Sequence, residues 1–209
     1  MHTEKTTNGE LRVLEHWSKS GKTVIRVRGS LIASSQQTLR EEELFDRYAE
    51  RLSPEQRETV LFILANNWYP LELAMLHYGT CDALGLNEIQ MRKIGESVSE
   101  RIMETYLGTI LRTSRNIGAG TSPWTILKRY DRLWDRLLDG GGFIVREVSP
   151  KDAAVESRGV PMFRYRYFRE AYIGLVRGTI TLFSKKCYSK EVALERPDPG
   201  ALGVALSWV

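Results

Sequence analysis

The sequence is poor in the residues that form most metal and redox sites. Its 209 residues include two cysteines, Cys81 and Cys187, and three histidines, and none of these stand at the spacing of zinc ligands or of a redox pair. No apolar run is long enough to cross a bilayer, and the start of the chain is polar. We therefore expect a cytoplasmic protein with reduced thiols, no bound metal and no membrane span.

Common catalytic and phosphate-binding motifs are missing as well. The chain contains no glycine-rich phosphate loop, no H-E-x-x-H and no G-x-S-x-G. Three glycines at 140–142 follow a predicted helix, where glycine ends helices. His77 is predicted to pack on an apolar helix face. Because no nucleophile, base and orienting group can be placed together, we expect the chain not to be an enzyme and to use no cofactor.

The charge is nearly balanced, with 30 Lys and Arg against 26 Asp and Glu, a net charge of +4. This surplus does not by itself indicate nucleic-acid binding. The most basic segment, 158–172, interleaves arginines with aromatic residues. It could contact an anion or a protein partner, or its arginines could simply remain in water while its aromatic residues pack on the sheet. The candidate residues for contact in this segment are Arg158, Arg164, Tyr165, Arg166 and Arg169.

The spacing of hydrophobic residues predicts helices in the first half of the chain. Residues 1–20 lack periodicity and are predicted to be a flexible lead-in, and Lys22–Arg28 alternates like a strand. The clearest helix begins after Asn87, because apolar residues recur every four positions from Ile94 to Ile110. Shorter helices are predicted for 41–51, 53–64 and 70–85.

The second half of the chain has a mixed pattern. One more helix runs from Pro123 to the glycines at 140–142. The order that follows is β-β-α-β-β, which predicts an α+β fold with a four-stranded antiparallel sheet covered by helices. The strands are predicted at 143–148, 153–156, 191–196 and 202–208, and the helix between them at Met162–Ser184. We divide the chain into a lead-in (1–20), an N-terminal strand and helical part (21–86) and an α+β part (87–209) that packs with 21–86.

Several features between Ile94 and Trp208 point to a known superfamily. They are the long helix, Pro123 opening the next helix, Val148-Ser149-Pro150 and the pattern F-x-x-x-x-F-x-x-x-x-x-G-L-x-x-G from Phe163. Because of these features, the segment from Ile94 to Trp208 resembles the haem-NO-binding domain. It is equally similar to the 4-vinyl reductase domains and the palmitate-holding TRAPP transport subunits. Val27–Leu31, Leu52–Arg57 and Trp68–Glu72 resemble a paralogous family of uncharacterised proteins abundant in myxobacteria.

The resemblance fails at the positions that would bind haem. In the haem-binding relatives an axial histidine lies on the helix before the sheet, and this sequence has Trp134 there, which cannot ligate iron. The relatives also hold the haem propionates with a Tyr-x-Ser-x-Arg trio, whereas Ser157 stands between Val155 and Gly159. The cysteine pair of many 4-vinyl reductase domains, expected around 195–202, is absent too. The resemblance therefore implies a related fold without haem or zinc.

Two hypotheses on function follow. The first is a non-enzymatic sensory or regulatory domain that binds a small apolar or planar ligand between its helices and its sheet. The second is a protein-protein interaction adaptor or a homodimerisation module without a ligand, which would use segment 158–172 or the face around Trp68 and Tyr69. The candidate ligand-binding residues of the first hypothesis are Trp124, Tyr130, Trp134 and Phe143.

Overall fold

The computed structural model describes residues 3–5, 11–113, 122–196 and 198–209. Helices and antiparallel strands build it, which confirms the α+β class. The helices are α1 (Gly29–Glu41), α2 (Phe45–Glu50), α3 (Pro54–Val60), α4 (Leu71–Asp82), α5 (Glu88–Thr113), α6 (Pro123–Leu127), α7 (Tyr130–Leu137) and α8 (Arg166–Thr181), with a 3₁₀ turn at Pro161–Arg164. The strands are β1 (Thr3–Lys5), β2 (Val13–Trp17), β3 (Arg26–Arg28), β4 (Trp68–Pro70), β5 (Leu138–Asp139), β6 (Gly142–Ser149), β7 (Asp152–Arg158), β8 (Cys187–Val192) and β9 (Leu202–Trp208).

The larger sheet joins strands from both ends of the chain. Its order is β1-β2-β6-β7-β9-β8, and every pair of neighbours is antiparallel. Helix α8 packs on β8 and β9, and α5 packs on α8. Val145, Val155 and Val204 on the central strands are at most 1% exposed, so this sheet forms one wall of the core.

A smaller sheet brings several helix ends together. Strand β3 lies between β4 and β5, and both pairings are antiparallel. Helix α1 begins directly after β3, α4 begins directly after β4, and α7 runs directly into β5. The N-termini of α1 and α4 and the C-terminus of α7 therefore meet at this sheet.

Helices α5 and α8 are in direct backbone contact. A Cβ atom on Gly95 would lie 1.8 Å from the carbonyl oxygen of Ala171, and one on Gly174 would lie 2.1 Å from the carbonyl oxygen of Arg92. These distances are far below van der Waals contact, so only glycine allows the two backbones to approach this closely. An ion pair between Arg92 and Glu170 (2.8 Å) joins the same two helices.

The prediction of a four-stranded sheet was wrong, because the sheet has six strands in the described residues. The additional strands β1 and β2 come from the segment predicted as a lead-in, of which residues 1, 2 and 6–10 lie outside the described ranges. In β2 the buried Leu14 and His16 alternate with Val13 and Glu15. Five residues with a histidine at a core position show too little alternation to predict a strand.

Helix α1 was also missed. Its buried face carries Ser35, Gln36 and Thr38 beside its apolar residues, so the hydrophobic pattern is weak. The helix predicted at 41–51 is the end of α1 followed by α2, and Glu43, with a φ of 58°, separates them. The capping boxes predicted at Ser53 and Asn87 are confirmed.

Other boundaries differ by a few residues. The strand predicted at 22–28 covers only Arg26–Arg28, and the helix predicted at 53–64 ends at Val60. The strand predicted at 191–196 lies at Cys187–Val192, because this edge strand has little buried alternation and offers a weak signal. The helix predicted from Pro123 is divided into α6 and α7 and ends in β5. The break predicted at 118–120 lies outside the described residues.

Candidate functional site

An apolar cavity of about 50 Å³ lies where α1, α4, α5, α7 and α8 meet. A water molecule needs roughly 10–15 Å³ of such space. The cavity therefore has room for a small guest without any movement of its walls, and nearly all of its surface is hydrophobic. Its lining consists of Leu31, Ser35, Tyr78, Ile94, Gly95, Val98, Tyr130, Leu133, Trp134, Leu137, Leu138, Tyr167, Phe168, Ala171, Tyr172 and Leu175.

Helix α7 supplies the aromatic wall of this cavity. The indole N–H of Trp134 donates to the carbonyl oxygen of Gly140 at 3.1 Å, and its ring packs on Phe143 with a centroid distance of 5.5 Å. Tyr130 contacts the same Phe143 ring edge to face, at 4.7 Å. Two of the predicted ligand-binding residues, Tyr130 and Trp134, thus line the cavity, and Phe143 lies directly behind them.

The structure places Trp124 away from this cavity. Its indole N–H donates to the carbonyl oxygen of Pro150 at 2.9 Å. Its ring meets Trp208 edge to face, and the guanidinium of Arg12 lies 5.0 Å from its ring centroid. Trp124 therefore packs beside Trp208 at the C-terminal end of β9. The fold does not bring it together with Tyr130, Trp134 and Phe143.

A chain of three hydroxyl groups closes one side of the cavity. The Tyr130 and Tyr172 hydroxyls are 2.8 Å apart, and the Tyr172 hydroxyl is 2.7 Å from Oγ of Ser157 on β7. Burial raises the pKa of both tyrosines, so both phenols stay protonated. The chain links α7 and α8 to the larger sheet and satisfies the polar groups that the cavity wall would otherwise leave unpaired.

A second buried polar chain begins at the opposite side of the cavity. Ser35 Oγ lies 3.1 Å from the Tyr167 hydroxyl and 3.0 Å from Nε2 of His77, and Nδ1 of His77 lies 2.8 Å from the Tyr48 hydroxyl. Burial lowers the pKa of His77 to about 3, so the imidazole is neutral and donates at one nitrogen while it accepts at the other. Burial also raises the pKa of the neighbouring Cys81 thiol. Ser35 and Tyr167 are the two members of this chain that line the cavity.

The arginines predicted as a contact face do not converge on one site. Arg158 pairs with Glu156 on its own strand, and Arg169 pairs with Glu191 on β8. Arg164 and Arg166 are exposed at the start of α8. Tyr165 is half-buried with its ring over the backbone of Gly79 on α4, where a Cβ would lie 3.1 Å from its hydroxyl. Arg158 and Arg169 thus take part in ion pairs while Arg164 and Arg166 are exposed, and a contact role for this segment stays a prediction.

Sequence reasoning missed the cavity residues that come from α1 and α5. Leu31 and Ser35 lie on the helix that was not predicted, and Gly95 and Val98 lie on a helix that was predicted without a partner for this face. The usable signal for α1 was the spacing of Leu31, Ser35 and Leu39, four residues apart.

Among the described residues, no group of three or more His, Cys, Asp or Glu side chains is arranged to hold a metal ion. No helix in the described ranges is long and apolar enough to cross a membrane.

Comparison with known proteins relates the fold to H-NOX, the haem-NO-binding domain. An Fe(II) unliganded H-NOX protein from K. algicida superimposes with a TM-score of 0.60 at 12% identity, covering 87% of this chain and 96% of that one. A mutant H-NOX from T. Tengcongensis gives a TM-score of 0.52 at 15% identity, covering 87% and 97%. No protein-family model matches the chain, and no curated protein matches its sequence. The solved structures therefore show that the chain has an H-NOX-like fold.

Proposed function

We propose that this chain is a non-enzymatic sensory domain that binds a small apolar ligand, without haem, in the cavity between α1, α4, α5, α7 and α8. The observation that carries the proposal is the cavity itself, about 50 Å³ of apolar space at a junction of helices and ringed by aromatic side chains. Packed protein interiors have few voids larger than a water molecule. A void of this size in an H-NOX-like fold supports a role in ligand binding.

Haem, whose distortion has been studied in similar H-NOX structures, does not fit the residues present. Pockets that enclose ligands of drug or cofactor size measure roughly 300–1,000 Å³, several times the volume found here. None of the lining residues is a histidine, cysteine or methionine. Burial raises the pKa of each lining tyrosine, which disfavours a phenolate ligand. Trp134 also occupies the wall where the haem-binding relatives carry their axial histidine.

Xenon tests the apolar cavity directly, because it is small, apolar and visible by anomalous scattering. Crystals pressurised with xenon should show one site beside Val98 and Trp134. The variant Val98→Leu adds a methylene into the cavity and should lower the occupancy. The matched variant Val176→Leu makes the same change on α8, where Val176 is 1% exposed and outside the lining, and should leave it unchanged. Xenon absent from this cavity in the wild-type protein would rule out the proposed site.

The haem-free part of the proposal has its own test. Titration of the purified protein with haemin should produce no saturable change in the Soret region. Trp134→His replaces an indole by a smaller imidazole, yet the cavity stays far below the roughly 300–1,000 Å³ of a cofactor pocket, so this variant should behave in the same way. A stoichiometric Soret shift in the wild-type protein would contradict the assignment.

A second candidate function is a protein-interaction module, and one observation favours it. Phe62 and Leu64, in the segment between α3 and β4, are 79% and 64% exposed. Two large apolar side chains exposed within three residues of the chain suggest a contact surface. If this segment makes a homodimer, light scattering should report twice the monomer mass, and Phe62→Ser with Leu64→Ser should return the mass to that of one chain.

A further inference from the structure

A cationic cleft of about 470 Å³ opens beside the apolar cavity. Three arginines line it, Arg28 from β3, Arg101 from the middle of α5 and Arg136 from α7, and none of its lining residues is acidic. The lining consists of Arg28, Ser30, Ser34, Ala65, Asn66, Arg101, Ile102, Arg136 and Leu137. Guanidinium groups and serine hydroxyls are the groups that proteins use to bind carboxylates and phosphates.

Two of these arginines are fixed in position by their contacts. Arg28 donates from Nη1 to the carbonyl oxygen of Asn66 at 2.7 Å and from Nε to that of Arg136 at 3.3 Å, and its guanidinium lies 4.4 Å from the ring centroid of Trp68. Arg101 donates to Thr38 Oγ1 at 2.6 Å and pairs with Glu41. The two carbonyl acceptors of Arg28 and the Trp68 ring are neutral, so these contacts leave its positive charge uncompensated.

The start of α1 adds to the positive potential of the cleft. Helix α1 begins at Gly29, directly after Arg28, and no side chain caps its first turn. Ser30 and Ser34 are one turn apart on the side of α1 that faces the cleft. The Gly29 N–H donates to the carbonyl oxygen of Asn67 at 2.8 Å, and the positive end of the helix dipole favours an anion near this first turn, in addition to the three guanidinium groups.

The cleft and the apolar cavity share a wall. The Leu137 side chain lines both of them. On α1, Leu31 and Ser35 line the cavity while Ser30 and Ser34 line the cleft. Val98 of α5 lines the cavity, and Ile102, one turn further along the same helix, lines the cleft. A single ligand placed across Leu137 can therefore contact both an apolar pocket and a group of arginines.

We propose that the cleft and the cavity form one binding site for an amphipathic anion. A short apolar chain would occupy the cavity, and a carboxylate or phosphate head group would bind Arg28, Arg136 and Arg101. This inference rests on the proposed function, because it names the class of ligand that the same cavity accepts. An apolar space beside a cationic one favours a ligand with an apolar chain and an anionic head group over a purely apolar guest.

The test compares four probes that separate the head group from the chain. Hexanoate and hexyl phosphate carry both parts, hexan-1-ol carries only the chain, and inorganic phosphate carries only a head group. In NMR titrations we expect at least one of the two hexyl anions to bind about tenfold or more tightly than hexan-1-ol and than phosphate. Amide shifts should appear at both Ser34 and Val98. Raising the salt concentration should weaken the anions but not the alcohol.

Charge-neutral variants locate the head group. Arg136→Gln, at an exposed position, and Arg28→Gln should each weaken the better hexyl anion about tenfold and leave hexan-1-ol unchanged. If Arg28→Gln unfolds the chain, Arg136→Gln alone decides the question. The matched control is Arg164→Gln with Arg166→Gln, which removes two exposed charges from the other candidate face and should change neither affinity.

Each other outcome overturns the inference in a distinguishable way. If hexan-1-ol binds as tightly as the anions, the cavity binds ligands but the cleft does not contribute, so the proposed function stands and the inference fails. If phosphate binds as tightly as hexyl phosphate, the cleft is an anion site unconnected to the cavity. If the control pair Arg164 and Arg166 weakens binding instead, the head group lies elsewhere. If no probe binds and xenon is also absent from the cavity, both proposals fail.

Discussion

The apolar cavity makes a quantitative prediction about stability that needs no ligand. Val98 on α5 faces the cavity, whereas Val176 on α8 is 1% exposed and lies in fully packed core. Changing either residue to leucine adds the same methylene group to a buried helical position. The intrinsic helix preference changes equally in both variants, so it cancels when they are compared.

The two substitutions should have opposite effects. Burying one more methylene is worth about 0.8 kcal/mol. At roughly 24 cal/mol per Å³ of cavity, empty space of about 50 Å³ costs up to about 1.2 kcal/mol. Val98→Leu should therefore leave the free energy of unfolding unchanged or raise it by about 1 kcal/mol. Val176→Leu has no free space to fill, and overpacking of this kind costs about 1–3 kcal/mol.

Urea denaturation followed by circular dichroism measures this difference. The two variants should differ by about 1–4 kcal/mol, which is roughly 0.5–2 M in the urea midpoint if the m-value is about 2 kcal/mol/M. The m-values of both variants should match that of the wild-type protein. If Val98→Leu destabilises the chain as much as Val176→Leu does, the space beside Val98 is not free and the argument for a ligand site in the cavity is refuted.

Two further predictions concern the buried histidine and the contact between α5 and α8. The pKa of His77 is about 3 in the folded chain, whereas the unfolded chain binds a proton at this residue below about pH 6.5. Protonation of the unfolded chain should therefore lower the free energy of unfolding by about 3 kcal/mol between pH 7 and pH 4.5. In urea titrations, His77→Gln should remove that part of the pH dependence. A Cβ on Gly174 would lie 2.1 Å from the backbone of Arg92, whereas one on Gly178 would lie 3.1 Å from the Ser99 side chain. Gly174→Ala should therefore lower the melting temperature far more than Gly178→Ala does. Equal effects of the two substitutions would contradict the close approach of the α5 and α8 backbones.

The sequence predicted the elements whose core positions are apolar and regularly spaced. Helix α5 was found because its stripe from Ile94 onwards repeats every four residues, and it is one of the walls of the cavity. Helix α1 was missed because Ser35, Gln36 and Thr38 are buried through hydrogen bonds, and such positions look solvent-exposed in a hydrophobic pattern. The similarity to myxobacterial proteins stays a prediction.

The candidate site was only partly accessible to sequence reasoning. Tyr130 and Trp134 were proposed from the family resemblance together with their place on one face of the helix after Pro123, and both line the cavity. Arg28, Arg101 and Arg136 could not be connected, since they are 73 and 35 residues apart along the chain and meet only through the small sheet and the packing of α1 on α5. Local composition instead pointed to the arginines of 158–172, because those lie close together in the sequence.

Helix α7 is the element through which occupancy of the cavity would act on the rest of the fold. Leu133 and Trp134 line the cavity, and Arg136 lines the cleft. On another side of the same helix, Asp135 is 2.7 Å from Nε2 of His16 on β2 of the larger sheet. The helix has only eight residues, too few to be stable through its own backbone hydrogen bonds. Its position therefore depends on what packs against it. A ligand that fills the empty space beside α7 would change the restraints on a helix that contacts the cavity, the cleft and both sheets.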